Sequence, residues 1–201
     1  MIKRFIYYTS IFFFYSCASL QFDDIILIAQ DTFIGIKKIE ATDELISSYD
    51  ESFLILNINK IKSSIMRLQK IVNDEYYWQS DYDEEIVTNR YGKIIRTHGF
   101  LYNQEVIENQ FQLERSNYSN LVMLKNPDGM LEQFIELELK DSWELNSYYT
   151  EIISVPILNQ TWVNEYILNK DKFPISTKQK IHPNFPSVEM DFYFKFTVIA
   201  D

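Results

Sequence analysis

The sequence predicts a mainly β protein: an antiparallel β-barrel or sandwich-like single domain preceded by a short N-terminal helix. Three observations predict it. From about Ser52 onward the chain is a series of short runs rich in β-branched and aromatic residues, with turn-forming residues between them. No helical periodicity is sustained beyond that point. Of all residues, 46% are apolar and 16% aromatic, enough to build a packed core.

The chain begins with a segment of another kind. Met1-Ile2-Lys3-Arg4 is basic, and Phe5 to Tyr15 carries no charge. That apolar run has the length of a secretory signal and falls short of a membrane span. Ser16, a small residue, stands before Cys17, the only cysteine. The pattern is similar to the lipobox of bacterial lipoproteins, although Phe14 and Tyr15 are bulkier than its usual residues. Two other readings of Cys17 stay open, a buried small apolar residue and an unpaired thiol. On the lipobox reading, residues 1–16 are a signal peptide, 17–50 a lipid-anchored helix or linker, and 51–201 the antiparallel β domain. Cys17 then carries acyl chains, two or more of which hold a protein stably to a membrane. Ala18 follows it where lipoproteins retained at the inner membrane carry aspartate, which implies an outer-membrane location.

Charge narrows the partners. Without Lys3 and Arg4 the remaining chain has 17 basic and 29 acidic residues, a net charge of −12. Such a surface lacks the basic footprint of a nucleic-acid binder. Anionic headgroups would repel it, so the acyl chains must do the anchoring. With one cysteine no intramolecular disulfide forms, and stability must come from the core.

Taken in order, Phe22, Ile25, Ile26, Ala29, Phe33 and Ile34 have helical spacing, with Asp23, Asp24, Gln30 and Asp31 opposite. Thr42-Asp43-Glu44 reads as a helix cap opening a turn over Ala41 to Asp50. "SFLILNIN" alternates, with Phe53, Ile55 and Ile58 set among polar partners. "KSSIMRLQKIV", "EYYWQS", "EIVTN" and "GKIIRTHG" follow as strands. Asn89-Arg90-Tyr91-Gly92 and Asn126-Pro127-Asp128-Gly129 are turns, because Asn and Gly tolerate positive φ. "QFIELELK" presents Phe134, Ile135, Leu137 and Leu139. Three further runs, "YYTEIISVPIL", "TWVNEYIL" and "FPISTKQKI", lead to the last strand. There Val188, Met190, Phe192, Phe194, Phe196 and Val198 alternate with Glu189, Asp191, Tyr193, Lys195 and Thr197. Met190, Phe192, Phe194 and Phe196 are expected to be buried, and Glu189, Asp191 and Lys195 exposed. A transmembrane barrel is disfavoured, since few strands are long enough and charges fall on both faces.

The residues of chemistry are sparse. His98 and His182 lie far apart and in no metal-ligand spacing, so no metal site is expected. Four glycines, Gly35, Gly92, Gly99 and Gly129, cannot build a phosphate loop or a nucleophile elbow. No cofactor and no catalytic residue is assigned. Asp81, Asp83, Glu84 and Glu85 lack the glycine and distant glutamate of a calcium loop and read as a solvated hairpin loop. The aromatics of Glu75 to Trp78, Tyr148-Tyr149 and Trp162 to Tyr166 could stack on sugars or fill a core.

The middle of the chain resembles the YjbF/GfcB family of outer-membrane lipoproteins, encoded beside genes for exopolysaccharide and group 4 capsule secretion. The likeness is carried by Tyr49 before "SFLILNI", by Trp78-Gln79-Ser80, by Ile86-Val87-Thr88 leading to Gly92-Lys93-Ile94-Ile95, and by Thr97-His98-Gly99-Phe100. "STKQKIHPNFPSVEMDFYFKF" is similar to the family's closing strand pair. Asn169-Lys170-Asp171-Lys172 stands where the family's late hairpin has glycine. The resemblance implies a lipoprotein on the periplasmic face of the outer membrane, accessory to polysaccharide assembly or export. It implies a secretion-apparatus protein partner, with polysaccharide as a further partner, and supplies no catalytic residues. Trp78, Gly92, Thr97 and Gly99 read as fold-specifying. In that reading Trp78 lies on a strand next to the one after Gly92. The competing classes are a periplasmic glycan hydrolase, which needs paired carboxyls in a cleft, and a lipid- or glycan-carrying barrel, which needs an open lumen.

Overall fold

The structure is a computed structural model, and it describes residues 38–195 except 60–61, 108–110, 126–127, 144 and 181. Cys17, the signal segment and the helix expected over Phe22 to Ile34 lie outside the described residues, as do Phe196 and Val198.

Twelve antiparallel strands form a closed barrel in which each strand pairs with its sequence neighbours and the first pairs with the last. They are β1 (Phe53–Ile58), β2 (Lys62–Val72), β3 (Glu75–Ser80), β4 (Glu85–Asn89), β5 (Ile94–His98) and β6 (Asn103–Val106). The second half holds β7 (Asn117–Lys125), β8 (Gly129–Ser142), β9 (Asn146–Val155), β10 (Gln160–Asn169), β11 (Pro174–Lys180) and β12 (Ser187–Tyr193). Among the described residues, one short α-helix, α1 (Asp43–Ser48), precedes them. Its cap is the expected one: Thr42 Oγ1 accepts from Leu45 N at 3.2 Å.

Period-two alternation sorts the side chains. Along β7, β12 and residues 131–137 of β8 every second residue points into the lumen and is buried. Two apolar clusters fill that lumen. One gathers Leu54, Leu56, Met66, Trp78, Met190 and Phe192, the other Val122, Ile135, Ile153, Tyr166 and Leu168. Charged residues such as Glu132, Glu136 and Lys178 point outward. This is the reverse of a membrane-spanning barrel, which is apolar outside and polar within.

Several local expectations change. The alternation expected of β1 is absent, because all six of its residues are buried. Leu54, Leu56 and Ile58 face the lumen. On the outer side Phe53 is stacked against Tyr193 at 4.9 Å and meets the tilted ring of Tyr49 at 4.8 Å. The stretch before β1 is tied to the same side of the wall: Ile39 N donates to Ser63 Oγ, and Lys195 Nζ to the Ile46 carbonyl. The last strand ends at Tyr193. Met190 and Phe192 are buried as expected and Lys195 is exposed, but Phe194 is only half-buried. Glu189 and Asp191 are half-buried rather than exposed, and Glu189 ion-pairs with Lys38 and Lys178.

The four fold-specifying residues find distinct places. Trp78 sits in β3 opposite Ile86 of β4, so β4 separates it from β5, the strand after Gly92. The expected adjacency of Trp78's strand to the one after Gly92 therefore does not hold, because the strand read over "EIVTN" lies between them. Thr97 Oγ1 accepts from Gln104 N at 3.0 Å and ties β5 to β6. Gly92 closes the β4–β5 turn at φ +80°, and a Cβ there would lie 2.8 Å from Pro174 Cβ. The turn therefore packs directly on β11. The expected glycine-free late turn works differently: Lys172 takes the left-handed conformation at φ +65°, while Asn169 Oδ1 accepts from Asp171 N and Phe173 N.

Gly99 has φ +80° and faces the loop between β3 and β4, where a Cβ would stand 2.8 Å from the Asp83 carbonyl oxygen. That loop is not wholly solvated. Asp81, Tyr82 and Asp83 are exposed, but Glu84 is buried, accepts from Ser80 Oγ at 2.8 Å and pairs with Lys62. Gly99→Ala is expected to cost about 1–3 kcal/mol, through backbone strain and displacement of this loop. Chemical denaturation of the variant checks it, and an unchanged midpoint would show that the loop yields freely.

Candidate functional site

Two polar groupings stand out, one inside the barrel and one on its wall. The inner one is built around Glu151 of β9, a fully buried carboxylate. Lys93, at the end of the β4–β5 turn, donates to Glu151 Oε1, as does the Tyr118 hydroxyl of β7. Tyr166 of β10 donates to Oε2 at 2.6 Å and Asn164 Nδ2 at 3.2 Å. Gln179 of β11 completes the arrangement. Its amide donates to the Gly92 carbonyl at 2.6 Å, and its oxygen accepts from Ile94 N at 2.9 Å.

The electrostatics follow from burial and pairing. Burial alone would raise the Glu151 pKa, but the Lys93 ammonium and the hydroxyls of Tyr118 and Tyr166 outweigh it and hold the carboxyl below the usual range. Burial pushes the Lys93 amine down against the pull of Glu151. Both tyrosine hydroxyls are pushed up, first by burial and then by the neighbouring carboxylate, so they stay protonated donors. The lumen is thus occupied, and this network fixes the β4–β5 turn to β7, β9, β10 and β11.

The expected sugar-stacking aromatics mostly belong to this interior. Trp78, Tyr149 and Tyr166 are buried, and Trp162 and Tyr148 are half-buried. His182 is also buried, stacked on Tyr102 at 4.8 Å, with Nδ1 accepting from Asn184 N. His98 is exposed.

The outer grouping is a groove of about 510 Å³ across β7, β8 and β9. Its floor is two cross-strand rows. In the first, Phe134 stands opposite Ser119 on one side and Ser154 on the other. In the second, Glu136 stands between Asn117 and Ile152. Arg115 closes one end, its Nε donating to the Asn117 carbonyl at 3.1 Å. The first row continues into β10 through Thr161, whose hydroxyl lies 3.4 Å from that of Ser154. Phe134 is 47% exposed, an aromatic ring turned away from the core. Sequence reading grouped it with Ile135, Leu137 and Leu139. The signal that separates them is parity, since Phe134 is out of step with the inward pair Ile135 and Leu137.

Fold and groove together define a twelve-stranded, up-and-down antiparallel barrel with a packed apolar lumen and a polar outer wall. The crystal structure of the hypothetical lipoprotein YmcC from Escherichia coli K12 is similar to it, with a TM-score of 0.64 and 15% sequence identity over 87% of this chain and 96% of that one. No protein-family model and no curated protein matches the chain at the sequence level. The likeness to YmcC is one of fold.

Proposed function

We propose that this protein is a lipid-anchored outer-membrane lipoprotein, accessory to exopolysaccharide or capsule export, that acts by binding through the outside of its barrel. The observation that carries the reading is the packed lumen beside an open polar and aromatic groove on the wall. A barrel that carries a lipid needs interior room, and here Trp78, Phe192, Tyr166 and the Glu151 network occupy it. The fold likeness to a hypothetical lipoprotein supports the anchor, and the resemblance around Trp78 to Phe100 supports the polysaccharide setting. A protein partner of the secretion apparatus fits the charge best, because an acidic polymer would be repelled by a net −12.

The anchor is tested by metabolic labelling with palmitate and membrane fractionation. Wild-type protein is expected to take up label and follow the outer membrane, and Cys17→Ser to lose both. Label retained by the Cys17→Ser variant would remove Cys17 as the attachment site. Pull-down of the lipidated protein from polymer-producing cells is expected to recover a secretion-apparatus protein. Cleavage of a polysaccharide by the purified protein, with no partner recovered, would favour a glycan hydrolase instead.

A further inference from the structure

We propose that the outer groove across β7, β8 and β9 is a binding site for an uncharged saccharide. The inference rests on the binding reading above and names the ligand class of that same surface. Three features of the groove carry it.

The first is the row Ser119–Phe134–Ser154. A sugar ring presents a face of C–H groups edged by hydroxyls. An exposed aromatic ring with a hydroxyl-bearing side chain on each flank matches both parts at once. The second row adds Asn117, which can donate and accept, and Glu136, which accepts.

Charge is the second feature. Arg115 and Glu136 carry opposite charges, so the groove's side chains sum to zero, whereas the whole chain stands at −10. An anionic polymer would meet a repulsive field on approach without a surplus cation in the groove to offset it. A neutral ligand meets neither obstacle.

The third feature is topology. An extended peptide is commonly bound by adding a strand to a sheet edge. This barrel closes β1 onto β12, so the wall around the groove offers no edge for such pairing. Recognition there must run through side chains, as it does for sugars. The groove's volume of about 510 Å³ falls in the range of small-ligand sites, about 300–1,000 Å³.

The test uses the soluble domain with its N-terminal segment replaced only as far as Cys17. An array of neutral gluco-, galacto-, manno- and N-acetylglucosamine oligosaccharides, with polygalacturonate fragments as the acidic comparison, is followed by nitrogen-15 NMR titration of the best neutral ligand. Binding of at least one neutral oligosaccharide is expected, with shifts centred on Ser119, Phe134, Glu136 and Ser154. Phe134→Ala should weaken that binding about tenfold and leave the melting temperature near that of wild type, because the ring lies outside the core. Ser154→Val provides a second variant, expected to weaken binding with the ring intact. Preference for the acidic fragments, undiminished binding by Phe134→Ala, shifts elsewhere on the barrel, or no neutral ligand bound at millimolar concentration would each overturn the assignment. Recovery of a secretion-apparatus protein with no oligosaccharide binding would overturn this inference alone and leave the binding function standing.

Discussion

Replacing Glu151 by leucine is expected to destabilise the barrel by about 3–5 kcal/mol, the cost of leaving a buried charge without its partner. Glu151 is the one acceptor shared by Lys93, Tyr118, Tyr166 and Asn164. Its loss leaves the buried Lys93 ammonium without a counter-charge, with only the Tyr118 hydroxyl to donate to. It also turns Tyr166 to its weaker partner Gln179 Oε1 at 3.3 Å, and removes the acceptor of Tyr118 and of the Asn164 amide. Lys93→Met is expected to cost less, because the carboxylate keeps three donors and can take up a proton. The pair also sets a pH dependence. Glu151 has its pKa lowered in the folded state, so its stabilising contribution is complete above the ordinary value of 4.5 and is lost as pH falls through the lowered one. Urea denaturation of wild type and Lys93→Met across the acid range checks this. The wild type should lose stability at lower pH than the variant, and coincident profiles would show that Lys93 does not hold the carboxyl down.

Trp78→Ala is expected to cost about 3–5 kcal/mol, the usual range for removing a buried indole. Trp78 is fully buried between Tyr76, Phe192 and Phe194, with ring centroids 5.6–6.3 Å away. Its Nε1 donates to Thr88 Oγ1 at 3.1 Å, so truncation also orphans a hydroxyl partner. Trp78→Phe should recover most of the packing and lose only the hydrogen bond. Guanidinium denaturation of both variants separates the two parts. Equal losses would place the effect in the hydrogen bond rather than in the cavity.

The barrel was legible in the sequence because its signals are local. Alternation along Val188 to Phe192, turn chemistry at Asn89 to Gly92 and the Thr42 cap each depend on a few neighbouring residues. What depended on distant residues was not legible. Phe53 and Ile55 look like one face of a two-faced strand, and only tertiary contacts bury the other face too. Glu84 looks like its acidic neighbours until Lys62 is brought beside it. The Lys93–Glu151 pair spans 58 positions, and nothing at either end announces it. The groove was hidden for a different reason. Its floor is drawn one or two residues at a time from β7, β8 and β9, so no contiguous motif encodes it.

The pairing of β1 with β12 has a bearing on how the protein comes to be made. Eleven of the hairpin-like pairings can form as the chain emerges, each strand finding a neighbour already present. The twelfth joins Phe53 to Tyr193 and Ile58 to Val188, and cannot begin until nearly the whole domain exists. Until then the nascent sheet has two unpaired margins, β1 and whichever strand is newest, each able to recruit a second chain. Closure is also the step with the longest loop to fix, so it is the natural bottleneck in folding. A short deletion from the C-terminal strand would therefore do more than remove a few core side chains. It would leave β1 and β11 as permanent sticky ends, turning a closed barrel into the seed of an aggregate.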